Sequence, residues 1–325
     1  MGFLLALACL GIAVVLSLAI GTRHIPLDTV WAALAGLGTG DDASVVLTLR
    51  APRTVMGLLV GAGLGVSGAL IQAVTRNPLA DPGILGVNAG AAFAVALGVG
   101  VLGIASPLGY IWFAFAGALA TTVIVYLIGS GVRGSVSPAR ITLAGVAIGA
   151  VLAGFTSALV LANPRGYNAM RAWEAGSLAD RGWDPITTAG PFLAAGLLLA
   201  LLLGRSLNAV ALGDDLARSL GARVMRTRVL ALLAVTLLAG AATAMAGPIA
   251  FIGLMIPHVA RWVVGPDQRW IIAYSVLLAP VLLLAADVLG RVVMRPGELQ
   301  VGIVTAVVGA PVLILLVRRA RASQL

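Results

Sequence analysis

Apolar stretches long enough to cross a bilayer recur along the whole of this 325-residue chain, broken only by short polar segments. A hydrocarbon core takes roughly 20 apolar residues in helical form, and a segment in lipid must satisfy its backbone hydrogen bonds within itself. On that template the sequence predicts ten spans, near 3–20, 51–74, 84–103, 107–130, 141–162, 186–203, 229–247, 248–264, 270–290 and 300–317. The expected fold is an all-α polytopic membrane protein, a single transmembrane domain over residues 1–325. Charged residues make up 10% of the chain, too few to cover a water-facing surface.

Residues 229–264 form one mostly apolar stretch, divided at Gly247-Pro248 because proline cannot continue a helical ladder unaided. Segment 3–20 lacks a basic n-region and a small-residue cleavage site, so it is taken as the first span rather than a signal peptide.

Every one of the 21 basic residues is arginine, and their distribution orients the bundle by the positive-inside rule. With the N-terminus inside, 13 arginines face four acids on the inner side, Arg76, Arg133 and Arg140 among them. Eight arginines face eight acids on the outer side. Both termini are therefore expected in the cytoplasm. The net +9 reads as topology and headgroup contact, since the arginines stand singly between apolar runs rather than in a nucleic-acid patch.

Two connections exceed a turn. The outer segment 163–185 is polar enough to lie at the interface or fold back as a short helix. The inner segment 205–228 repeats Leu212, Leu216 and Leu220 every four residues, which predicts an amphipathic helix with one apolar stripe. Gly61 and Gly68 are seven apart in span two, as are Gly240 and Gly247 in span seven, and each pair precedes an interrupted helix. Two five-span halves so related would have opposite topology, an inverted repeat.

Several chemistries are excluded. Gly63, Gly65 and Gly68 have dinucleotide-loop spacing but lie within a span and follow no strand; with Gly57 and Gly61 they form a small-residue face for close helix packing. A phosphate-binding P-loop needs a lysine, and the chain has none. His24 and His258 fit no metal-ligand spacing, Cys9 stands alone, and no cofactor is expected. Intramembrane Gln72, Asn88, His258, Asp287 and Arg291 are costly in lipid and so expected at the bundle interior or a water path. Asp287 and Arg291, four apart, read equally as a pair snorkelling at the outer end of span nine. The connection Arg76-Asn77-Pro78-Leu79-Ala80-Asp81-Pro82-Gly83 forbids helical continuation, while its Asn and Asp can cap the helix that follows.

Taken in order, Arg50-Ala-Pro52-Arg53, Gly61 to Gln72, Arg76 to Gly86, Leu143-Ala-Gly145, Trp173 to Leu178, Leu212-Gly213 to Leu220-Gly221, Gly247 to Gly253 with Pro257-His258, and Glu298 to Gly302 with Gly309-Ala-Pro311 resemble the permease subunits of type II ABC importers, the FecCD-like family. Gln300 stands where that family often has proline.

The resemblance implies a non-enzymatic transport subunit that works with a second permease subunit, the same or paralogous, two ABC ATPase subunits and an extracytoplasmic substrate-binding protein. It implies cargo of the metal-chelate class, iron-siderophore ahead of heme or cobalamin. By the same resemblance Arg50, Arg53 and Arg291 receive acidic residues of the binding protein, and Asn77, Leu79 and Leu143 form the cytoplasmic gate. Leu212, Gly213, Asp215, Leu216, Ala217, Leu220 and Gly221 form the coupling element in the ATPase groove. A secondary transporter driven by an ion gradient is the rival; it needs coupling acids at mid-membrane, and only Asp287 comes near.

Overall fold

The computed structural model describes residues 2–104, 106–130, 138–162, 170–171 and 173–322. Arg133 and residues 163–169 and 172 of the outer segment lie outside the described residues. The long helices are α1 (Gly2–Ala19), α4 (Ala51–Thr75), α5 (Val87–Gly100), α6 (Pro107–Ser130), α7 (Pro138–Ala162), α8 (Asp184–Ala211), α10 (Val224–Ala246), α11 (Ile252–Val264), α12 (Gln268–Val293) and α13 (Val301–Ala322). Short helices α2 (Leu27–Leu34), α3 (Asp41–Val45) and α9 (Asp214–Ser219) join them.

Seven of these segments are long and apolar enough to cross a membrane. Three shorter apolar helices, α5, α11 and the start of α13, stand where the sequence predicts the remaining spans. The division at Gly247-Pro248 is present, but it is wider than one turn: α10 ends at Ala246, and α11 begins only at Ile252. Gly247 and Phe251 both have positive φ there, at 78° and 70°. The predicted inner loop is shorter than read, because α8 runs on to Ala211 and α10 begins at Val224.

Burial separates centre from periphery. The apolar windows of α4 and α10 are 83% and 78% buried, those of α1, α6, α7 and α8 only 17–33%. The centre is held by absent side chains. A Cβ on Gly57 would come 2.5 Å from Leu284 Cδ2, and one on Gly61 2.6 Å from Pro280 Cα, so the glycine face of α4 lies against α12. Gly68 faces the backbone of Gly253 on α11 just as closely. Where lipid gives helices no hydrophobic reason to associate, such close approach supplies the dispersion contact instead.

Helix lengths recur in order: α4, α5, α6 and α7 have 25, 14, 24 and 25 residues, and α10, α11, α12 and α13 have 23, 13, 26 and 22. In each set a long buried helix is followed by a broken segment and a short helix, as the glycine spacing suggests.

Buried polar groups repair the breaks. Pro257 has no N–H to offer the carbonyl four residues earlier, that of Gly253. Gln72 Nε2 donates to that oxygen at 3.4 Å and to Leu254 O at 3.2 Å, and its own Oε1 accepts from Arg261 Nη2 at 3.2 Å. Asn88 accepts from Thr243 Oγ1 at 3.1 Å, joining α5 to α10. The intramembrane amides are therefore structural ties.

Candidate functional site

Polar side chains gather at both ends of the bundle. At the expected outer end, α1 stops at Ala19 and leaves carbonyls without helical partners. Arg50, the last residue of a π turn over Val46–Arg50, donates from Nη1 to Leu18 O and Ala19 O, both at 2.8 Å, and from Nη2 to Arg23 O. Arg291 Nη1 donates to Ser17 O and Ile20 O at 2.8 Å, and Arg295 Nη2 to Gly21 O at 3.0 Å. Three guanidinia thus cap one helix C-terminus, where the backbone carries partial negative charge.

The second half of this cluster is ionic. Arg53 grips Asp287 with Nε to Oδ2 at 3.0 Å and Nη2 to Oδ1 at 2.8 Å, and its Nη1 reaches Glu298 Oε2 at 2.7 Å. Arg291 binds the same Asp287 through Nε at 3.0 Å and through Nη2. The side chains of Asp287 and Arg291 are 1% and 2% exposed, so these two do not snorkel. Two arginines and two acids balance, with each buried charge paired.

The three arginines expected at docking are thus brought together, but their guanidinia are turned inward. Arg50 and Arg291 are engaged with backbone oxygens at the end of α1 and border a small recess of about 170 Å³ together with Arg53, while Arg53 alone of the three also reaches the wall of a larger open cavity. That cavity, about 620 Å³, is lined by Arg53, Tyr110, Trp173, Asp180, Arg181 and Glu298 among others. Burial pushes the Arg181 guanidinium down from its ordinary value. The lining segment is stitched in place by Ser177 N to Ala246 O at 2.7 Å and Gly302 N to Gly176 O at 3.0 Å.

At the inner end the chain leaves α4 through Arg76, which has a left-handed backbone (φ 51°). Asp81 Oδ1 accepts from Gly83 N at 2.8 Å and caps the short 3₁₀ turn Pro82–Leu85, whereas Asn77 Oδ1 accepts from Leu79 N at 2.9 Å and closes the turn before it, so only the aspartate forms the predicted cap. The turn leaves Leu79 exposed. Asn77 and Leu143 share the lining of a recess of about 520 Å³ with Val146, and Leu79 lies outside that lining. Burial holds the Asp81 carboxyl above the usual carboxylate range. Asp81→Asn keeps the acceptor oxygen and removes the poorly solvated charge; its melting temperature in detergent should be unchanged or slightly raised, and a clear loss would contradict a capping role.

The residues expected to form the coupling element divide. Leu212, Leu216 and Leu220 are each at least half exposed, a bare apolar stripe. Gly213 and Gly221 flank α9 with φ of 107° and 81°, which favours glycine at both ends. Ala217 is turned the other way, buried between Val210 and Val224, so it seats the helix and is closed to a partner. Asp215 makes only a local pair with Arg218 at 3.4 Å. The carboxylate that carries weight is its neighbour Asp214: Arg228 holds it at 2.9 and 2.7 Å, and Arg76 reaches it at 3.2 Å. Sequence reading passes over Asp214 because its partners lie 14 and 138 residues away.

Comparison with known proteins follows the same outline. A sequence model of the FecCD transport family matches residues 9–319. The ferric enterobactin transport system permease protein FepD of Escherichia coli (strain K12) is 53% identical over 309 residues, 95% of this chain and 92% of that protein. The iron(3+)-hydroxamate import system permease protein FhuB of Bacillus subtilis (strain 168) is 40% identical, covering 98% of this chain and 82% of its own. A solved structure described as an inward-facing conformation of a metal-chelate type ABC transporter superposes with a TM-score of 0.85 at 26% identity, covering 97% of this chain and 98% of that one.

Proposed function

This chain belongs to the FecCD transport family, and from that premise we propose that it is the membrane-spanning permease subunit of an ATP-driven importer of iron-siderophore chelates. Members of the family are transport permeases, not enzymes, and the chain is a multi-pass membrane protein. The observation that carries the cargo is the match to a ferric-siderophore permease over nearly the whole of both chains. Relatives named for iron-citrate and iron-hydroxamate import support the same class, and put heme and cobalamin behind it.

In this reading ATP is hydrolysed by two partner ATPase subunits, a second permease completes the pathway, and an extracytoplasmic binding protein delivers the chelate at the bacterial inner membrane. The binding protein docks on the outer rim around Arg53 and its cavity, with Arg50 and Arg291 shaping that rim by fixing the end of α1. The gate is the recess bordered by Asn77 and Leu143 beside Leu79, where apolar side chains close a path by excluding water. The leucine stripe of α9 enters the ATPase groove as an amphipathic helix does.

An ion-gradient mechanism fits poorly, because Asp287 is already held between two arginines and has no oxygen spare for a coupling ion. Vesicles reconstituted with the ATPase and binding protein test the choice: uptake should require ATP and survive collapse of the proton gradient, and the opposite pattern would sink the importer reading. Leu216→Asp places a charge in the apolar stripe and should abolish ATPase association in pull-down without lowering the permease's melting temperature. Full association would remove α9 from the interface.

A further inference from the structure

One carboxylate joins the two functional elements of the inner end. Arg76 belongs to the gate turn itself: it caps α4, its own N–H and that of Asn77 both donate to Gln72 O, and Leu79 follows three residues on. Its side chain leaves that turn and reaches Asp214, the first residue of α9. Asp214 is in turn seated by two hydrogen bonds on Arg228, in the first turns of α10, whose side chain is 4% exposed. Three elements, α4, α9 and α10, therefore meet on one side chain.

The two contacts differ in character. The Arg228 contact is two-pronged and largely buried, the geometry in which a guanidinium holds a carboxylate most firmly. The Arg76 contact is single, longer and 40% exposed on the arginine side. Exposed single pairs contribute little to stability, so this one is poorly explained as a fold-holding contact. Its position is what distinguishes it: among the described residues no other ion pair connects α9 to the turn bearing Asn77 and Leu79.

We propose that Asp214 is a positioning residue that passes displacement of α9 to the Asn77–Leu79 turn through Arg76, making the gate follow the ATPase-facing helix. The inference rests on the importer reading above. The Arg228 seat keeps Asp214 fixed to α9 and α10 as a unit, and Arg76 is the arm by which that unit pulls on the end of α4. Cutting the arm alone leaves the leucine stripe and the Arg228 seat untouched.

The test uses the assembled transporter in vesicles, supplied with its binding protein loaded with a ferric chelate, and measures uptake and ATP hydrolysis together. Arg76→Gln should leave ATPase association and melting temperature near wild type and hydrolysis running, while chelate taken up per ATP falls about tenfold or more, the scale of a typical coupling between sites. Arg76→Lys, which keeps a charge able to reach Asp214, should recover most of that ratio. Unchanged uptake per ATP in Arg76→Gln would overturn the proposal, as would a loss explained wholly by a lower melting temperature. Wild-type vesicles that hydrolyse ATP yet take up no chelate would instead remove the importer reading on which the joint rests.

Discussion

Asp287→Asn should lower stability by about 3–5 kcal/mol, the range for removing one partner of a buried ion pair. The size follows from what is left behind. Asp287 accepts from Arg53 and from Arg291, and the amide that replaces it keeps the shape but cannot balance two guanidinia. Arg291 is the harder to accommodate, because it is 2% exposed and its remaining bonds go to neutral oxygens of Ser17 and Ile20. Glu298→Gln is the control: Glu298 is 29% exposed, so water can replace the lost charge, and its cost should stay below about 1 kcal/mol. Thermal unfolding in detergent reads both. Equal shifts would mean that the four groups do not form the asymmetric network described. Because the network gathers α1, α4, α12 and the segment before α13, the Asp287 variant should also lose folded yield.

How much of this was legible in the sequence depends on the range over which each feature acts. Hydrophobic runs locate helices because bilayer thickness sets a length that can be counted, and the break at Gly247-Pro248 is local chemistry. The turn at Asn77 and the cap at Asp81 are equally readable, since each side chain bonds a backbone N–H two residues away. The pairing of Asp287 with Arg291 follows from helical spacing alone, but their burial does not, because it depends on α1 and Arg53 being brought to the same place. For the same reason the signature arginines could be found but not oriented. Asp214 rather than Asp215 holds α9, and nothing in two adjacent aspartates says which one faces Arg228. The inward turn of Ala217 likewise becomes visible only once Val210 and Val224 flank it.

Glycines make the same point with opposite signs at two positions that the sequence treats alike. Gly68→Ala should be among the most damaging single-methyl changes in the chain, because the new Cβ would fall on the carbonyl oxygen and carbon of Gly253. Those are backbone atoms of α11, so no rotamer change relieves the clash, and the two helices must separate. Separation also pulls Gly253 O and Leu254 O away from Gln72, exposing the carbonyl left unpaired by Pro257. Overpacking of this kind costs typically 1–3 kcal/mol, and about 3 kcal/mol or more is expected when the lost hydrogen bonds are included. Gly240 belongs to the matching seven-residue pair, at the place of Gly61, yet a Cβ there meets Ala118 Cβ at 3.5 Å, an ordinary contact, where one on Gly61 would meet Pro280 Cα at 2.6 Å. Gly240→Ala should therefore be neutral or gain up to about 1 kcal/mol from helix propensity. Melting temperatures that move in opposite directions would show that the glycine in α4 is kept for a backbone crossing; a loss at Gly240 as large as at Gly68 would show instead that both halves use the spacing for the same close approach.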